Sequence, residues 1–305
     1  MTNKPELDES EKAEAAEIQK SFQKELNLHG YGFQFSVLQK AHDEAEFGQS
    51  RWRFSVAEFP VQVQGAGTRI DFVLFRQPFP WSRTVMICEC KRSNPKFSNW
   101  CFIRTRYTHK GQRGKTSPLI FETAILSSSK DLRVYANADS YAKDVYHVAM
   151  PISSRAKGDD KPVGQYRSQI EEAATQVLRG LNGYVEFLSA NLQLMNDPSL
   201  QQDAIVRFLP VVFTTASLWV SDSDLATAEL SNGEIDLSKG KFEKVPWLWF
   251  QYNVSPGLKH SRQPLEKKKK VEELMQEEHI RSIAVVSPSG IAEFLEHSTD
   301  FLSSY

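Results

Sequence analysis

Three things are scarce in this chain of 305 residues, and each scarcity excludes a class of protein. Cysteine occurs only at Cys88, Cys90 and Cys101. An odd count, with two members inside an apolar run, makes no disulfide framework and predicts reduced thiols in the cytoplasm. Charge of one sign is also scarce, since 37 Lys and Arg stand against 38 Asp and Glu for a net −1. That excludes a globally basic nucleic-acid binder, so any affinity for phosphate has to come from a local patch. Long apolar runs are missing too. None approaches the ~20 residues that span a bilayer, and the opening segment from Met1 to Ser10 is acidic, without the apolar core of a signal peptide. No membrane partner is expected. What is there is 40% hydrophobic, ample for a buried core. A soluble, mixed α/β protein of one large or two small domains follows, with no internal repeat.

Periodicity gives the order of elements. Residues from about Ser10 to Leu28 predict a helix, with Ser10 as cap and Glu11, Glu14 and Glu17 in the first turns. Ile18, Phe22 and Leu26 recur at helical spacing. Phe33 to Leu38 alternates like a strand, and Gln39 to Gln49 reads as a loop. Strands follow over Trp52 to Val63, Ile70 to Phe75 and Thr84 to Lys91, with hairpin signals at Gln64-Gly-Ala-Gly67 and Gln77-Pro-Phe-Pro80. Further on come a helix near Phe121 to Tyr135, a strand over Val145 to Ile152 and a loop over 153–162. A long helix spans about Ser168 to Leu194, and a strand apolar on both faces covers Arg207 to Val220. The final elements are a strand at Val245 to Phe250, a helix at Leu265 to His279, a strand at Arg281 to Ser287 and a helix at Pro288 to Phe301. The Lys267 to Lys270 run reads as a solvated helix face paired with Glu272 and Glu273.

Two of the strands carry the chemistry: Thr68-Arg-Ile-Asp71-Phe-Val-Leu-Phe75 and Thr84-Val-Met-Ile-Cys-Glu89-Cys-Lys91. Side chains two apart on a strand share a face, so Glu89 and Lys91 project together and Cys88 and Cys90 the other way. If the two runs pair, Asp71 lies beside Glu89. Two carboxylates and an ammonium at one sheet end suit a divalent ion and a nucleophilic water. Asp159/Lys161 and Glu266/Lys268 share the acid-x-Lys spacing, but no strand precedes either. The bland alternative is an edge-strand ion pair, with Asp71 paired to Arg69. The apolar Val85 to Cys88 argues against it, because unpaired carboxylates on an interior strand are costly.

This pattern resembles the PD-(D/E)xK, or restriction-endonuclease-like, superfamily of metal-dependent phosphodiesterases. Asp71, Glu89 and Lys91 are the matching elements, and Ile70 stands where the superfamily has a Pro. The resemblance implies an α/β fold whose core is a central mixed sheet flanked by helices, in the order αβββαβ. That core would occupy residues 10–222, with a basic insertion at about 92–165. A C-terminal strand-helix-strand-helix extension would occupy 223–305. It also implies Mg²⁺, with Mn²⁺ able to substitute, held by Asp71, Glu89 and the backbone carbonyl of Cys90. A glutamate of the opening helix would complete the site, Glu17 in preference to Glu14. Lys91 would hold or deprotonate the attacking water. Glu58 is a third acidic candidate, although a solvent-facing strand position is its plainer reading. The implied activity is phosphodiester hydrolysis, on DNA in preference to RNA and as an endonuclease in preference to an exonuclease. Restriction or defence is an analogy from the superfamily. A homodimer is a candidate assembly, since double-strand cleavage by this fold usually needs two sites. The alternatives are a catalytically silent nucleic-acid-binding or sensing module on the same fold, and an interaction protein docking through Trp247 to Tyr252.

The segment after the motif points the same way. Cys90 to Phe121 contains no Asp or Glu, yet it carries Lys91, Arg92, Lys96, Arg104, Arg106, Lys110, Arg113 and Lys115. This predicts a phosphate-binding surface beside the site. Phe97, Trp100, Phe102 and Tyr107 are interleaved and can stack on unpaired bases, or else belong to the core. Gln169 and Gln176 read as ordinary helix positions. The three cysteines and His109 match no regular zinc spacing and read as small buried hydrophobes.

Overall fold

Residues 9–48, 50–105, 116–127, 131–152, 169–191, 204–254 and 279–298 are described by a computed structural model. Two helices precede the first strand. Helix α1 (Glu9–His29) includes Ser10 within it rather than as its cap. Gly30 separates it from α2 (Tyr31–Glu46), which occupies the segment expected to form a strand and a loop. The alternation of Phe33, Phe35 and Val37 misleads, because Phe35 is exposed. The residues that α2 buries are Gln34, Val37 and Ala41, at helical spacing.

Strands β1 (Arg53–Val63), β2 (Ala66–Phe79) and β3 (Ser82–Lys91) form the expected antiparallel meander. Gln64 and Gly65, at φ 51° and 81°, make a two-residue turn between the paired Val63 and Ala66. Left-handed backbone at both positions matches the twist of the flanking strands. The segment to α3 (Gln169–Asn191) holds β4 (Asn99–Arg104), β5 (Ser117–Leu126), β6 (Leu132–Ala142), β7 (Val145–Tyr146) and β8 (Val148–Ile152). The helix expected at 121–135 is therefore a β-hairpin. β5 is buried on both faces, and a continuous apolar run reads alike as a buried strand or a buried helix. The single strand expected at 207–220 is two, β9 (Ala204–Thr214) and β10 (Ser217–Asp224). The chain closes with β11 (Phe242–Val245), β12 (Trp247–Asn253), β13 (Ile280–Val286) and α4 (Ile291–His297). The helix expected over 265–279 falls almost wholly, and the 153–162 loop and the Lys267 to Lys270 run wholly, outside the described residues.

Among the described residues the main sheet has nine strands and runs β1-β2-β3-β9 before it forks. β5, with β6 beyond it, pairs antiparallel with the first half of β9, up to Phe208. β13 pairs in parallel with the second half from Val211 and leads on to β12 and β7. Pro210 has no N–H to donate, and it sits in the gap between these two partners. Side chains bridge the fork. Arg281 on β13 and Glu122 on β5 form a buried pair at 3.0 Å, and Ser282 Oγ accepts the N–H of Ile120 at 2.9 Å. Residues beyond 222 thus supply β12 and β13 to the main sheet. A second sheet runs β11-β10-β4-β8.

Helices cover both faces of the main sheet, giving an α/β protein. α3 presents Ile170, Ala174, Val177, Leu178, Leu181 and Val185 to Ile70, Val73, Val85 and Ile87, and Trp100 and Phe102 of β4 join that core. Burial of each large aliphatic side chain contributes about 1.5–3 kcal/mol. Together they fix α3 over the C-terminal end of β3. A Cβ at Gly183 would meet the Cβ of Val61 at 2.6 Å, so α3 lies close enough to β1 to require glycine there. On the other face α2 and α4 cover Phe72, Leu74, Met86, Cys88 and Phe213. Among the described residues no helix is long and apolar enough to cross a membrane.

Candidate active site

β3 pairs with β9 through its last residue, Lys91 opposite Thr214, but with β2 only as far as Cys88 opposite Phe72. One step further the antiparallel register sets Asp71 beside Glu89. There the backbone ladder stops, and Asp71 Oδ2 accepts the N–H of Cys90 at 2.6 Å. The packing explains why. Ile70 belongs to the core under α3, whereas Phe72, two residues on, belongs to the opposite core. A regular strand would put both on one face. β2 is therefore twisted at Asp71, and the carboxylate replaces a ladder carbonyl. Glu58, between the pairs that β1 makes on either side of Asp71, has a left-handed backbone at φ 52°.

Cys88 and Cys90 pack in the core on the α2 side, and Glu89 and Lys91 point to the α3 side as their spacing predicts. Glu89 is only 7% exposed. Lys91 Nζ lies 3.4 Å from Glu89 Oε1 and 3.3 Å from Glu172 Oε1 on α3. From the other face, the buried Gln34 of α2 donates its amide to Glu58 Oε1 at 2.7 Å and to the Asp71 carbonyl at 2.9 Å. Arg69 pairs with Glu58 at 3.0 Å, so the Asp71–Arg69 pair of the bland alternative does not form. Glu58 is a brace beneath Asp71 rather than a solvent-facing strand residue.

Electrostatics at this point are unfavourable to two bare anions. Burial raises the Asp71 carboxyl to about 6, against the pull of the Cys90 N–H, and the nearby Glu58 adds to the rise. Burial and then the charge of Asp71 raise Glu89 to about 8, with Lys91 opposing. Burial also raises the Cys88 and Cys90 thiols well above their usual range, which suits inert core cysteines.

The remaining expected residues divide. Glu17 and Glu14 lie on the exposed α1, and among the described residues neither makes a hydrogen bond or ion pair with the site. The apolar stripe that was to dock α1 is itself exposed, Ile18 by 61% and Phe22 by 63%. The helix at the site is α2, and its polar contribution is Gln34. Arg92 donates to the carbonyl of Asn27, Lys96 is exposed, and Arg104 pairs with Asp144 at 2.9 Å and lies over the Tyr146 ring. Trp100 and Phe102 are core residues, as the second reading of those aromatics has it. Arg106, Lys110, Arg113, Lys115, Tyr107 and His109 lie outside the described residues. Gln169 Oε1 accepts the N–H of Asn94 and so anchors the loop after β3. Sequence reading missed Gln34 and Glu172. The signal for Glu172 is its i+3 spacing from Gln169, which places both on one face of α3.

A divalent ion can be tested against the donors present. Among the described residues no group of three His, Cys, Asp or Glu side chains converges. Two lie within electrostatic reach of each other: Asp71 and Glu89 are hard oxygen donors whose charged forms are penalised by burial. The N–H of Cys90 faces β2, and the carbonyl of the same residue leaves the strand on that side, adding a neutral oxygen. This donor set fits Mg²⁺ or Mn²⁺ completed by water. Comparisons with protein-family models, with curated proteins and with solved structures found no match for this chain.

Proposed function

We propose that this chain is a Mg²⁺-dependent nuclease with a restriction-endonuclease-like core, cutting DNA internally. The observation that carries the reading is the meeting of Asp71 and Glu89 where β2 and β3 part, with Lys91 on the same face of β3 as Glu89. The order of elements supports it. Helix, three meander strands, helix and strand occur in the implied sequence, with α2 added between α1 and β1 and β4–β8 inserted before α3.

In this reading Asp71, Glu89 and the Cys90 carbonyl hold the ion. The chemistry a bound ion supplies is polarisation of the scissile phosphate and acidification of water. Lys91 holds the attacking water by hydrogen bond, or in its neutral form helps deprotonate it, and in its charged form offsets charge building on the phosphate oxygens. Glu89 and Glu172 fix the lysine from two sides. Gln34 and Glu58 keep β2 twisted so that Asp71 reaches Cys90.

A second reading, a nucleic-acid-binding or sensing module that does not cleave, is favoured by one observation. Lys91 is already engaged by two carboxylates. One experiment separates the two: circular and linear, single- and double-stranded DNA and RNA incubated with Mg²⁺, Mn²⁺ or chelator. The nuclease reading expects nicking of circular DNA that needs the metal and stops with chelator. No cleavage of any substrate with either metal rejects it and leaves the binding module.

A further inference from the structure

The described part of the basic segment beyond β3 leaves few cations free, since Arg92 and Arg104 are engaged within the chain. A different face is better provided. Between the C-terminal half of α2, the start of β1 and the end of β2 lies a cleft of about 840 Å³. Arg51, Arg53 and Arg76 line it. Arg51 and Arg53 are exposed, and their guanidiniums make no hydrogen bond or ion pair among the described residues. Glu46 is the one acid among the lining residues, and His42 pairs with it at 3.4 Å.

Aromatic rings stand next to these cations. Phe54 lines the cleft and is 52% exposed. At the tip of the β2–β3 hairpin Phe79 and Trp81 stack with centroids 5.1 Å apart and planes 5° apart, both exposed. An exposed apolar pair on a face that also carries the unpaired Arg51 and Arg53 is hard to account for by folding alone. Cations that track a phosphate backbone, with rings that offer faces to bases, are the elements of a single-strand site. Bases within a duplex have no free faces to give.

The cleft lies at the far end of β2 from the proposed active site, on the α2 side of the sheet. Asp71 and Gln77 lie on the same strand, about 20 Å apart at 3.4 Å per residue. α2 carries Gln34 at the Asp71 end and His42 at the cleft, about 12 Å along its axis. We infer that this face, with Arg51 and Arg53 on the phosphates and Phe54, Phe79 and Trp81 on the bases, binds an unpaired strand of nucleic acid. The inference rests on the nuclease reading for the identity of its ligand as nucleic acid.

The test is fluorescence anisotropy with a labelled single-stranded 20-mer and the same sequence as a duplex, on the full chain, in chelator so that nothing is cut. The single strand is expected to bind more tightly than the duplex. Arg51→Glu with Arg53→Glu is expected to weaken single-strand binding at least tenfold and to lower the salt slope by about 1.4, for two lost phosphate contacts. Trp81→Ala is expected to weaken it roughly tenfold through one lost stacked base. If the glutamate pair fails to fold by circular dichroism, Arg51→Gln with Arg53→Gln replaces it with the same expectation at smaller size. Wild-type affinity in the arginine variants, preference for the duplex, or no binding at all overturns the inference. Loss of binding in these variants, in a protein that cleaves nothing under Mg²⁺ or Mn²⁺, keeps the single-strand site and discards only the nuclease reading.

Discussion

Asp71 Oδ2 on β2 accepts the backbone N–H of Cys90 on β3 at 2.6 Å, and this one bond stands where the ladder between the two strands ends. A hydrogen bond to a carboxylate is worth about 1.5–3 kcal/mol, more than the neutral bond it replaces. It leaves Asp71 a second oxygen and holds it next to Glu89.

Lys91→Ala is expected to abolish cleavage, by at least the ~10²–10³-fold that loss of one electrostatic stabiliser of a transition state costs. Folding and nucleic-acid binding stay close to wild type, because Lys91 is partly exposed at the end of β3. Plasmid nicking and anisotropy on the same preparation check this. Full activity in the variant removes Lys91 from the mechanism.

Stability without divalent ions is expected to fall as pH rises from about 4 to 8. Ordinary carboxyls in the unfolded chain release their protons near pH 4. Asp71 and Glu89 in the folded chain keep theirs to about 6 and about 8. The folded state therefore binds more protons through that window, and the slope of stability against pH is negative. Mg²⁺ should offset the loss, so its stabilising shift is larger at pH 8 than at pH 5. Thermal melts at both values, with and without Mg²⁺, measure it, and Glu89→Gln should flatten the metal-free slope. A Mg²⁺ shift of equal size at both values speaks against the arrangement.

Gln34→Ala removes two hydrogen bonds, one of them to the half-buried carbonyl of Asp71. A loss of about 1–3 kcal/mol in urea unfolding is expected, with reduced cleavage as Asp71 loses its brace. Unchanged stability together with unchanged cleavage dismisses Gln34 as a positioning residue.

Gly183→Ala tests the docking of α3. Its Cβ would press on Val61, and overpacking of this kind costs about 1–3 kcal/mol. Chemical denaturation that shows no loss means that α3 can lift from β1 without penalty.

Asp71, Glu89 and Lys91 were legible because apolar runs bounded by turns read as buried strands, and acids at their ends stand out. α3 and β13 were legible from the same burial pattern. Gln34 was hidden because Phe33, Phe35 and Val37 alternate, while the helix is set by what Gln34, Val37 and Ala41 pack against. Glu172 looks like any acid in a first helical turn, where carboxylates suit the helix dipole. Its meeting with Lys91 comes from the register of α3 on β3, which is a property of the packed core. Glu17 failed for a related reason: the stripe of Ile18, Phe22 and Leu26 predicts a docked face, but spacing alone does not name the surface that receives it.

The most direct measurement is calorimetric titration of Mn²⁺ into the wild-type chain, Asp71→Asn and Glu89→Gln, the first variant keeping an oxygen to accept the Cys90 N–H. One divalent site that is present in the wild type and lost or weakened at least tenfold in both variants is the predicted result. No binding by the wild type, or equal binding in all three, would contradict a cation held between β2 and β3.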